Sequence, residues 1–140
     1  MKKGGLILSA LGILVSTSTH ARVSVWVFDL LGKSGESYKL LEEWALAAKG
    51  WGAEIQLSAY QDEAKVDQDV KAGKCDAFYM TSMRARAYNK FAGSIDAIGG
   101  VPNNDIAMKA ISYVLDKRNS KRLITQIGKE KFEVAGIGQI

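Results

Sequence analysis

The sequence predicts an α/β domain: a mainly parallel sheet with helices on both faces. Strand-like and helix-like segments alternate along the chain with short connections, the order that gives parallel strands joined by covering helices. The first strand candidate, Val23 to Phe28 (VSVWVF), is continuously apolar, as a strand covered on both faces requires. The helix candidates carry apolar seams at helical spacing and are closed by glycines.

Each element has its own signal. Glu36 to Lys49 places Tyr38, Leu41, Ala45 and Ala48 on one face, reinforced by Leu40 and Trp44, and Gly50 and Gly52 end it. Ser34 is the expected N-cap of this helix, with Glu36 suiting its first turn. Glu54 to Tyr60 alternates, with Ile55, Leu57 and Ala59 on one side, and reads as a second strand. Asp62 to Ala72 is a polar helix with a narrow seam at Val66 and Val70, closed by Gly73. Its acidic residues Asp62, Glu63, Asp67 and Asp69 read as a solvated face. Asp76 to Thr81 is the third strand, and Arg84 to Phe91 a further helix before the turn-rich Gly99 to Pro102. A long helix starts near Asn104 or Asp105, with Ala107, Ala110, Ile111 and Val114 inward. A shorter helix is expected over Ser120 to Ile127, and a terminal strand over Phe132 to Ile140.

The amino terminus sets the compartment. Lys2 and Lys3 precede an apolar run from Leu6 to Val15, then a polar stretch with Thr19 and Ala21 at the positions a signal peptidase prefers. Ten residues are too few for a bilayer-spanning helix, which needs about 20. Residues 1–21 are therefore expected to be a cleaved signal peptide, and residues 22–140 the periplasmic chain. Without Lys2 and Lys3, the 19 basic residues fall to 17 against 15 acidic ones. That near-balance, with interspersed signs, asks for no nucleic acid. The densest basic patch, Lys117-Arg118 with Lys121-Arg122, reads as a solvated helix end.

Cysteine and histidine usage narrows the chemistry. Cys75 is the single cysteine, so no intramolecular disulfide forms, and His20 is the single histidine and leaves with the signal. The exported chain then has no histidine base, no Ser-His-Asp set and no usual zinc cluster. Cys75 precedes a strand, where a small buried residue is expected rather than a nucleophile. No enzyme, cofactor or metal site is expected.

The stretch FDLLGKSGES, Phe28 to Ser37, invites comparison with a phosphate-binding loop. A Walker A loop requires a glycine five positions before its Gly-Lys-Ser, and Val27 stands there. The nucleotide reading fails, yet the loop still leaves the carboxyl end of a strand and enters a helix. Ligands of open α/β sheets sit in the crevice outside such strand ends, where helix amides favour anions. The same rule selects Thr81-Ser82-Met83-Arg84 after the third strand. Arginine pairs with carboxylates in a two-pronged fork, so Arg84 is the better ligand candidate and Arg86 the solvated one. The candidate ligand-binding residues are Asp29, Lys33, Ser34, Thr81, Ser82 and Arg84.

The G-K-S-G loop, Trp51-Gly52, Ala59-Tyr60 with Asp62-Glu63, and the block Lys71 to Ala77 form a larger pattern. Arg84-Ala85-Arg86, Asn89-Lys90-Phe91 and Ser94 to Gly99 extend it. Across nearly the whole exported chain this pattern resembles periplasmic solute-binding proteins related to the receptors of TRAP-type transporters. The resemblance implies two α/β lobes closing on a small solute, usually an organic acid, which is passed to a membrane permease. It implies that residues 22–140 form the first lobe, truncated before the second. The family's main carboxylate-binding arginine belongs to that second lobe, so Arg84 is not its equivalent. Some relatives are linked instead to RND-type efflux and aminoglycoside resistance, the alternative function.

Overall fold

The computed structural model describes residues 21–94 and 101–137; the expected signal peptide lies outside them, save Ala21. The chain begins with β1 (Ala21–Phe28), α1 (Glu36–Lys49), β2 (Ala53–Tyr60), α2 (Glu63–Lys71), β3 (Ala77–Tyr79) and the four-residue α3 (Ser82–Ala85). A 3-10 turn, Gly32–Ser34, lies between β1 and α1. The three strands form one parallel sheet in the order β2-β1-β3. β1 pairs with β2 along its full length, from Ala21 opposite Ala53 to Phe28 opposite Tyr60. Its other edge takes only the short β3, Val25 to Val27 opposite Ala77 to Tyr79.

Alternation along β1 divides the core into two layers. Val25 and Val27 are buried with Tyr38 of α1, and Leu41, Ile55, Leu57 and Ala59 pack around them. On the opposite face Trp26, Phe28, Tyr60 and Phe78 meet Val66 and Val70 of α2. A strand in the middle of a parallel sheet has no solvent side, which is why VSVWVF is apolar throughout. The layered α/β class and the helix on each face match the sequence reading. So do the bounds of α1, the inward side of β2 and the seam of α2.

The second half departs from expectation in three places. The helix expected over Arg84 to Phe91 is replaced by α3 (Ser82–Ala85) and a run of turns. Tyr88 and Asn89 are both buried there. The Tyr88 ring packs 4.9 Å from both Phe78 and Phe132, and the Asn89 Oδ1 accepts from the Ala92 amide. Burying both side chains takes priority over regular helical bonding. Further on, α4 (Asn104–Leu115) forms as expected, capped by Asn103, whose Oδ1 accepts from the Ile106 amide. The basic patch then lies beyond the end of α4, and Arg118 forks onto Asp116 at 2.7 and 2.9 Å.

The expected helix over Ser120 to Ile127 is instead a 3-10 turn, Ser120–Leu123, followed by β4 (Ile124–Ile127). β4 pairs antiparallel with β5 (Glu130–Glu133), which replaces the long strand expected over Phe132 to Ile140. Gly128, at φ +60°, opens the two-residue turn, as a type II′ hairpin requires. β-branched Ile124, Thr125 and Ile127 favour the strand, and Phe132 anchors the hairpin on the α2 layer.

The acidic row of α2 also differs from its expected solvated state. Asp62 caps its own helix, its Oδ1 accepting from the Ala64 amide at 2.9 Å. Asp67 and Asp69 are buried and paired. Asp67 accepts from the Tyr88 hydroxyl at 2.6 Å and from Lys71 Nζ at 2.8 Å. Asp69 accepts from Lys74 Nζ at 2.9 Å. The Lys71 and Tyr88 bonds hold the Asp67 carboxyl below its ordinary range, and the Lys74 bond does the same for Asp69. Burial, then the Asp67 bond, pushes the Tyr88 phenol up.

This network predicts the effect of removing one atom. Tyr88→Phe deletes only the hydroxyl and should cost about 1.5–3 kcal/mol at neutral pH, the worth of a hydrogen bond to a charged group. Asp67 has a depressed folded pKa, so its contribution is complete above the unfolded value and fades as pH falls through the folded one. Denaturant midpoints of the two proteins should therefore differ at pH 7 and converge in acid. A constant gap across that range would contradict the role given to Asp67.

Candidate functional site

The strand order locates the crevice. β1 connects through α1 to β2 on one side, and β2 then crosses through α2 to β3 on the other. The direction of winding reverses between β1 and β3, and ligands of open α/β sheets bind outside the carboxyl ends of the strands at that reversal. Two loops leave those neighbouring ends: residues 29–35 after β1, and residues 80–81 after β3, which lead into α3.

The first loop is organised by Asp29. Its Oδ1 accepts from the Leu31 amide at 2.9 Å, and its Oδ2 accepts from the Tyr38 amide, in the first turn of α1, at 3.2 Å. The chain's own carboxylate thus sits at the amino end of α1, where the helix favours an anion. Ser34 is not the N-cap; that position belongs to Gly35, and the side chain serving the helix end comes from Asp29. The amides of Gly32, Ser34 and Gly35 donate to the carbonyls of Asp29, Leu31 and Gly32, which leaves no phosphate cradle. Lys33 and Ser34 are exposed on the outside of this turn.

Gly35 is required by that carboxylate. A Cβ at residue 35 would lie 1.7 Å from the Asp29 Oδ1. Gly32 adopts φ +58°, the left-handed region that lets the chain turn after Leu31. The two glycines around Lys33-Ser34 therefore serve an internal cap.

The second loop is held from below by α2. Glu63 Oε1 accepts from both the Thr81 amide, at 2.6 Å, and the Thr81 hydroxyl, at 2.7 Å. Thr81 stands at the N-cap position of α3 but spends its hydroxyl on Glu63. Arg84 lies 3.5 Å from Glu63 Oε2 and 3.9 Å from Asp67 Oδ2. Both separations exceed those of a tight fork, and the side chain is 40 % exposed, so it retains donors facing outward. Ser82 is half-buried beside it, and Arg86 is exposed.

The structure thus brings the six candidates to two adjoining strand ends and divides them by task. Asp29 and Thr81 are committed to internal hydrogen bonds, whereas Lys33, Ser34 and Arg84 have exposed side chains. Sequence reasoning missed the supporting role of Glu63 and Asp67. Their four-residue spacing puts them on one helix face, but only the packing of α2 turns that face toward Thr81 and Arg84. Cys75 is half-buried in the α2 layer. Burial and the nearby Asp76 and Asp69 push its thiol up, the opposite of an activated nucleophile. Among the described residues there is no acidic, histidine or cysteine grouping suited to a metal ion. Nor is any described helix long and apolar enough to cross a membrane.

The Asp29–Gly35 contact can be tested by a double-mutant cycle. Gly35→Ala should destabilise by about 1–3 kcal/mol through overpacking, and Asp29→Ala by about 0.5–2 kcal/mol through loss of the cap. Because one change removes what the other clashes with, the double variant should be more stable than additivity predicts. Additive losses in denaturant melts would refute the clash.

Comparison with known proteins identifies a family. A family described as Solute-binding protein AdeT 1/2 matches residues 38–140. A protein of Acinetobacter baumannii, named probable solute-binding protein AdeT1, is 39 % identical over 114 residues. That alignment covers 81 % of this chain and 36 % of the relative, so the chain spans about a third of the relative's length. No solved structure matches. From residue 38 onward the chain carries the family's pattern, and it belongs to the AdeT 1/2 family of solute-binding proteins.

Proposed function

We propose that residues 22–140 form the first lobe of an exported, non-enzymatic solute-binding protein that takes a small organic acid in the periplasm and delivers it to a TRAP-type membrane permease. The observation that carries this reading is the reversal of winding between β1 and β3, with Lys33 on the loop after β1 and Arg84 on α3, which follows the loop after β3. In this reading Lys33 and Arg84 attract the solute carboxylate, while Ser34 and Ser82 offer hydroxyls to it. Asp29 and Thr81 shape the wall. Asp29 neutralises the end of α1, so anion selection falls to the two cationic side chains rather than to the helix.

The alternative, an accessory factor of RND-type efflux that binds cationic aminoglycosides, would draw on the acidic residues of α2. Asp67 and Asp69 are buried and paired with lysines, and Glu63 is bound to Thr81. That arrangement offers little to an incoming polycation.

Amide shifts of the isotopically labelled chain, titrated with acetate, lactate, succinate and glutamate, test the proposal. At least one carboxylate should move the amides of residues 33–35 and 82–84 in a saturable way. Arg84→Gln should weaken that response on the order of tenfold, the worth of one charged hydrogen bond. A response at those amides to an aminoglycoside but to none of the carboxylates would overturn the organic-acid reading.

A further inference from the structure

A concave feature lies apart from the two strand-end loops. The turns after α3 and the face of β4 border an open cleft of about 320 Å³, lined chiefly by Arg86, Tyr88, Lys90, Phe91, Arg122 and Thr125. That is the lower end of the range for ligand pockets, about 300–1,000 Å³, and suits a molecule the size of a single ring. We propose that this cleft is a second binding site, independent of the strand-end crevice, for a small organic anion with a flat apolar body, such as an aromatic monocarboxylate.

None of the described lining residues is acidic, and neither Lys90 nor Arg122 is ion-paired to a carboxylate among the described residues. The Arg122 guanidinium carbon lies 5.3 Å from the Phe91 ring centroid. A guanidinium held over an aromatic ring keeps its in-plane N–H groups available for a two-pronged bond to a carboxylate. Phe91, Ala87 and Ile127 supply apolar surface for the rest of the ligand.

The walls are fixed before any ligand arrives. Asn89 is buried, and its Nδ2 donates to both the Arg122 carbonyl and the Thr125 hydroxyl at 2.9 Å. Its Oδ1 accepts from the Ala92 amide at 2.8 Å. One side chain that lines the cleft therefore ties the turns after α3 to the 3-10 turn before β4 and to β4 itself. A site whose walls are already braced loses less entropy on binding.

Titrating the labelled full chain with benzoate tests the site, with benzyl alcohol and sulfate as controls. Benzoate should saturably shift amides within 86–91 and 122–127, and neither control should match it. Arg122→Gln should weaken binding on the order of tenfold, with Arg122→Lys intermediate, since it keeps the charge but loses the fork. Unchanged amides at 33–35 would verify that the variants are folded; if Arg122→Gln does not fold, Lys90→Gln reads the same loss. The proposal falls if benzoate moves none of these amides, or if benzyl alcohol or sulfate moves them equally. It also falls if binding survives the neutral substitutions. Because the reporting residues differ from those at the strand ends, this outcome and that of the carboxylate panel are separable.

Discussion

β1 is hydrogen-bonded on both edges and packed on both faces, and the remaining elements are arranged around that one buried strand. Its odd-numbered residues Val25 and Val27 support the α1 layer, and its even-numbered residues Trp26 and Phe28 support the α2 layer. A shift of one residue in its pairing would exchange the two faces. Because it is also the strand at which the winding reverses, the element that organises the core also sets where a crevice can form. Stability and site position thus share a single cause.

The loops at the strand ends are then fixed by carboxylates acting inside the protein. Asp29 closes the amino end of α1, and Glu63 gathers the Thr81 amide and hydroxyl and faces Arg84. Both carboxylates could have been read as ligand contacts or as surface charge. Each instead orders backbone that would otherwise be loose, so the cationic side chains are presented from a firm base. In this division the anions hold the loops and the cations are presented at the strand ends. The cleft beside β4 follows a related plan with a neutral brace, Asn89, in place of the carboxylates.

How much was legible depended on the distance over which each signal acts. α1, β2, α2 and α4 carry periodicity and caps within their own residues, and those elements fall where the sequence places them. Residues 84–91 and 120–127 have helix-compatible composition but are decided by partners far along the chain. Tyr88 is drawn to Phe78, Phe132 and Asp67, and β4 exists because β5 pairs with it. In the candidate site, the strand-end rule found both loops, but it could not say which polar groups were already engaged. Ser34 looked like a cap because the true capping carboxylate stands seven residues before the helix begins, beyond the reach of a local capping pattern.

The sequence alone therefore determined the α/β class, a first strand buried on both faces and the exclusion of a phosphate loop. Those follow from short-range pattern and from residue types present or absent. Only the tertiary structure decided that Asp29 and Glu63 serve the fold, that the acidic face of α2 turns inward, and that the last segments form a hairpin. In each of these cases a polar or β-branched residue has two acceptable local environments. Which one it takes is set by whether a distant partner arrives to satisfy its hydrogen bonds or cover its surface.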